Sequence, residues 1–125
     1  MDRWTEQFVA WSSFGGVIFL CATFVIICWS ESRPGARRTS GVGIRLPATK
    51  ASDEAWVAGH AAALPLAKYC AIVLAPLSVV MMCFVGLVPQ VVMVVESVLV
   101  AVSLAWLLVA TAVASRAATA VASQP

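Results

Sequence analysis

Three long apolar runs, almost no charge inside them, and connections too short to hold another domain point to an all-α chain. The expected fold is an integral membrane bundle of three transmembrane helices, with a cytoplasmic loop and a short interfacial helix between helices one and two. The 125 residues are 62% hydrophobic and 11% charged, whereas soluble domains carry about 45–50% apolar and about 25% charged residues. Mean hydropathy is +0.95. Too little polar surface exists to cover a water-soluble fold of this size, so residues 1–125 read as one membrane domain.

The first run, about 8–29, contains no charged residue. At about 1.5 Å per residue it reaches about 33 Å, enough for a hydrocarbon core of about 30 Å. Its leader, Met1 to Gln7, lacks a basic n-region, and no small-x-small site closes the run before Glu31, so it reads as a retained helix and not a signal peptide. The second run, about 61–88, is interrupted early by Lys68, and the third, about 91–114, by Glu96. Pro89 and Gln90 allow only a tight hairpin between them. Pro65 and Pro76 are expected to kink the second helix without ending it. Gly15, Gly16 and Gly86 read as close-packing points between helices or with a partner. Cys21, Cys28, Cys70 and Cys83 all lie in apolar runs without CxxC spacing and behave as small hydrophobes. The tail, 115–125, is expected to fray.

Basic residues set the orientation. Arg33, Arg37, Arg38, Arg45, Lys50, Lys68 and Arg116 fall on one side of this topology, and only Arg3 falls on the other. The N-terminus is therefore expected outside, the long loop and the C-terminus in the cytoplasm. Trp4 and Trp11 would mark the outer interface, Trp29 and Tyr69 the inner one, with Lys68 snorkelling to the inner headgroups.

The segment 30–60 is the only substantial region outside the spans. It opens with a basic stretch suited to anionic headgroups. The run from Ser40 to Pro47 then has glycines and a proline that forbid regular helix. Ser52 is a good N-cap, and Asp53 and Glu54 place negative charge in the first turn, where the helix dipole favours it. The helix that follows puts Asp53, Trp56 and His60 on one face.

Gly43, Ile44, Arg45, Pro47, Thr49, Ser52, Glu54, Trp56 and His60 together resemble the signature of the SdpI family, small bacterial membrane proteins named after a toxin-immunity protein. In that signature a Gly-Ile-Arg-Thr-Pro-Trp-Thr loop leads into a short helical segment carrying Ser, an acidic pair, Trp and His. Leu46 stands here for the usual Thr and Ala48 for the usual Trp. The resemblance implies a multi-pass protein of the bacterial plasma membrane with an immunity or signal-receptor role. Such a protein would guard the cell against a secreted peptide toxin or capture a cytoplasmic regulator at the membrane.

The residues themselves allow further readings. Arg45, with five donors beside the rigidifying Gly43 and Pro47, either clamps a lipid phosphate or partner carboxylate, or pairs with Asp53 or Glu54 to pin the loop. Trp56 is either an interfacial anchor or a binding stack. His60 either titrates at the boundary or is a hydrogen-bonded interface residue; a metal site on the chain's one histidine is weak, and none is expected. Glu96 falls about six residues into helix three, where a carboxylate is costly and normally turned inward, protonated or paired. Ser12 and Ser13, at a similar depth, are its natural partners. It either binds a proton or ligand, or holds helices together.

No nucleophile elbow, triad or nucleotide fingerprint is present, so neither enzyme activity nor a cofactor is expected. A net charge of +2 does not argue for nucleic acid. The expected partners are the lipid bilayer and either another membrane protein or further copies of the chain. An accessory subunit of a larger membrane complex is thus the main alternative, and a small oligomeric exporter a third.

Overall fold

A computed structural model describes residues 2–39 and 41–125. Met1 and Ser40, and the side chain of Pro89, lie outside the described residues, so the expected start of the glycine-rich loop at Ser40 falls there. Three α-helices are described, α1 (Arg3–Glu31), α2 (Asp53–Phe84) and α3 (Pro89–Ala122), and no strand is present among these residues. All three are long and apolar enough to cross a bilayer. The chain is a multi-pass membrane protein.

The helices begin where local chemistry allows. Asp2 caps α1 by accepting the Thr5 N–H at 2.8 Å, and Ser52 caps α2 by accepting the Ala55 N–H at 3.0 Å. Pro89 opens α3 at a position where its missing N–H costs nothing. Pro65 and Pro76 lie inside α2, which continues through both. The segment expected as a short interfacial helix forms the first turns of this same α2. The third helix continues through Ala122, so the tail expected to fray is mostly helical. Its alanines are strong helix formers, and Ala118 is fully buried, which ties the extension to the fold.

α2 is the central helix and packs along both others, while α1 and α3 touch each other least. The core changes character along the bundle. Toward the α2–α3 hairpin it is built from Phe14, Val17, Cys21, Cys70, Leu74, Val85, Val92 and Leu99. Toward the opposite end, where the long loop sits, it is built from Cys28, Ala63, Ala67, Ala110 and Ala114. Small side chains there bring the helix backbones close. A Cβ on Gly59 would lie 3.2 Å from the Ala114 carbonyl oxygen and 2.9 Å from the Thr49 methyl. Trp106 adds a cross-helix bond, its indole N–H donating to the Leu66 carbonyl at 2.7 Å.

Gly15 and Gly16 do not serve this packing. A Cβ on either would meet nothing within 4 Å, because the sparse α1–α3 contact leaves that face of α1 open. On Gly86 a Cβ would make only an ordinary contact, 3.6 Å from the Gln7 amide.

Candidate functional site

The motif residues gather at the loop end of the bundle around one buried polar chain. Trp56 and His60 stand one turn apart on α2, both fully buried, with ring centroids 4.5 Å apart. The Trp56 indole N–H donates to Glu31 Oε2 at 2.8 Å, which joins the start of α2 to the end of α1. His60 Nε2 accepts the Ile44 N–H at 2.8 Å, and His60 Nδ1 lies 2.8 Å from the Trp56 carbonyl oxygen. A backbone N–H can only donate and a carbonyl only accept, so these partners assign the neutral tautomer with its proton on Nδ1. Both ring nitrogens are thereby occupied. The imidazole holds the loop and has no lone pair left for a metal.

Thr49 completes the latch. Its hydroxyl is fully buried, accepts the Leu46 N–H at 3.0 Å, and lies 2.7 Å from the Ile44 carbonyl and 3.0 Å from that of Leu46. The loop thus folds back on the α2 face it precedes, and this requires Gly43. That residue has φ +130°, and a Cβ there would lie 2.5 Å from His60 Nε2 and 2.7 Å from Trp56 Cζ2. Only glycine lets the backbone lie against the two rings.

Above this buried layer the charges face outward. Arg45 is exposed and donates to the Gly41 carbonyl at 3.1 Å. Its expected pairing with Asp53 or Glu54 does not form, because Arg38 takes that place. The Arg38 guanidinium donates to the carbonyls of Lys50 and Ala51 at 2.9 and 2.8 Å, and its Nε lies 3.9 Å from Asp53 Oδ1. Both side chains of that ion pair are about half exposed, so its energetic weight is small. Glu54 and Pro47 are exposed, and Ile44 is half-buried against the alanine core. Beside the loop an open cleft of about 520 Å³ is edged by Arg37, Asp53 and Glu54 and floored by Val57, Ala58 and Val121.

Two expectations change. Trp56 is neither an interfacial anchor nor a stacking platform; the loop and α1 cover it, and its N–H is spent on Glu31. Glu96 is half-buried, but Ser13 donates its hydroxyl to the Val9 carbonyl, and among the described residues Glu96 forms no hydrogen bond or ion pair. Glu96 also stands apart from the motif, near the hairpin end of α3. Glu31 and Arg38 hold the site from outside the motif, and Thr49, a motif residue, proves to be one of its buried anchors. Glu31 had a signal: a carboxylate in the last turn of an apolar helix opposes the helix dipole and calls for a specific partner. No cluster of three or more His, Cys, Asp or Glu suited to a metal occurs among the described residues.

Residues 36–115 match the model of the SdpI/YfhL protein family, a stretch that contains the latched loop, all of α2 and most of α3. No curated protein and no solved structure matches the chain.

Proposed function

We infer the role of this chain from its kinship: it belongs to the SdpI/YfhL protein family. On that basis the protein is a non-catalytic receptor of the bacterial plasma membrane, acting in toxin immunity or signalling through the Gly43–His60 loop. The observation that carries this reading is the two-layer construction of the loop. Trp56, His60 and Thr49 are wholly buried and hold the backbone from beneath, while Arg45, Lys50 and Glu54 are displayed on top. A loop serving only to join two helices has no need of a buried polar frame. A frame that fixes exposed charges suits recognition, since pre-ordered contacts lose less entropy on binding. The open cleft beside Glu54 offers an apolar floor for a peptide or regulator segment. The basic asymmetry of the sequence supports a cytoplasmic position for this face.

The test uses cells whose own copy is replaced by Arg45→Ala, which removes an exposed side chain and leaves the latch in place. Challenge with the cells' secreted peptides should show lost protection or lost signalling at normal protein abundance. Full activity would end the receptor reading. Orientation is checked in a cysteine-free background: an impermeant maleimide added from outside should label Gln90→Cys and miss Thr39→Cys.

One observation favours a second reading, that of an accessory subunit. On α1, a Cβ added at Gly15 or Gly16 would meet nothing within 4 Å among the described residues, which leaves room there for a partner's helix. A larger membrane protein recovered in stoichiometric amount after mild detergent extraction would support it; a lone monomer or a homo-oligomer would support the receptor.

A further inference from the structure

On the side of α2 away from the latch, Ala61, Leu64, Pro65, Lys68, Tyr69 and Ile72 line an open groove of about 400 Å³. Their spacing, three or four residues apart along α2, makes one continuous stripe. Lys68 and Tyr69 are exposed, and among the described residues Lys68 forms no hydrogen bond or ion pair. It lies about seven residues inside the apolar run, roughly 10 Å below the boundary at the loop end.

Helix direction decides where its charge goes. Side chains lean toward the N-terminus of their helix, and the N-terminus of α2 is the loop end of the bundle. The Lys68 stem therefore climbs past Leu64 and Pro65 toward Ala61, along the groove and not across it, carrying its ammonium most of the way toward headgroup level. Ala61 supplies only a methyl group, which keeps that path open. Below the ammonium the groove is apolar down to Ile72.

We propose that this groove is a binding site for one anionic phospholipid, its phosphate on the Lys68 ammonium beside the Tyr69 hydroxyl and one acyl chain lying along Leu64, Pro65 and Ile72. The occupant is a lipid and not a protein helix because charge sits only at the headgroup end, over a wholly apolar track. A zwitterionic lipid gains less there, since its own cation opposes Lys68. The site is separate from the latched loop and does not depend on the receptor reading.

Native mass spectrometry of the full-length protein in detergent, with phosphatidylglycerol or phosphatidylcholine of matched chains, reads this directly. One phosphatidylglycerol should be retained with about fivefold higher occupancy than phosphatidylcholine, the preference one basic residue at a membrane surface confers. Lys68→Gln should bring the ratio to about one, and Lys68→Arg should restore it. Lys50→Gln, which removes an exposed charge from the loop, should leave it unchanged. The proposal falls if the wild type shows no preference, if Lys68→Gln keeps the preference, or if Lys50→Gln abolishes it equally.

Discussion

The loop end and the hairpin end of the bundle use opposite means of holding helices together. At the loop end, hydrogen bonds tie α1 to α2 through Glu31 and Trp56 and the loop to α2 through His60 and Ile44, while Thr49 and Leu46 fix the loop's own turn. Toward the hairpin the core is side-chain packing around Phe14, Leu74 and Leu99, and polar groups there are poorly matched. The fully buried Ser78 hydroxyl finds no partner among the described residues, and neither does the half-buried Glu96. Directional bonds fix one geometry, whereas apolar packing accepts several of similar energy. The loop end is therefore the part built to present a defined surface, and the hairpin end is the part free to adjust.

Glycine substitutions should separate the two ends most sharply. Gly43→Val combines a left-handed backbone with a collision against both motif rings, and should cost about 3 kcal/mol. Gly16→Ala meets open space and should change stability by less than about 1 kcal/mol. Thermal unfolding in detergent, followed by tryptophan fluorescence, gives both numbers. Equal effects would erase the distinction between a framed and an unframed region.

Trp56→Phe sharpens the comparison at the level of one bond. The ring still fills its site against His60, but the donor to Glu31 is gone, and a buried carboxylate loses one hydrogen bond. A loss of about 1–3 kcal/mol is expected in the same unfolding experiment. A neutral result would mean that shape alone, and not the hydrogen bond, holds α1 to the loop.

Glu96→Gln is the corresponding probe at the hairpin end. With no partner to lose among the described residues, the variant should unfold within about 0.5 kcal/mol of wild type and keep whatever activity the wild type shows. Activity lost at unchanged stability would make the carboxylate functional and move the centre of interest away from the loop.

The architecture was legible because hydrophobic run length is set by bilayer thickness, a constraint that each span satisfies by itself. Helix extents were less so. The alanine-rich stretch after Ala114 looks weakly ordered in one dimension, and only the burial of Ala118 against the rest of the fold shows why it continues as helix. The motif was visible as residue types, but its roles depend on contacts across the chain. Arg45 and Arg38 are equivalent cations in a flexible-looking loop; which of them meets Asp53 is decided by the path of the backbone through Gly41 and Gly43, both at positive φ. Trp56 looked like an interfacial residue because most tryptophans at that depth are. Glu31, two residues beyond the apolar run, is what draws it inward.

The smallest effect expected belongs to the exposed cap of α1, at the hairpin end. The Thr5 hydroxyl and amide both donate to the Asp2 carboxylate and hold its pKa below the ordinary 3.8. A carboxyl with a folded pKa below its unfolded value adds stability above the unfolded pKa and loses it as pH falls through the folded one. The cap should therefore be intact from neutrality down to about pH 4 and open only in more acid solution. In micelles, the Thr5 amide resonance should titrate with a midpoint below 3.8, and Asp2→Asn should abolish that titration. Because the carboxylate is fully exposed and lies at a frayable end, overall unfolding should scarcely move, in contrast to every substitution at the latch. A midpoint at or above 3.8 would show that the cap bonds do not persist in solution.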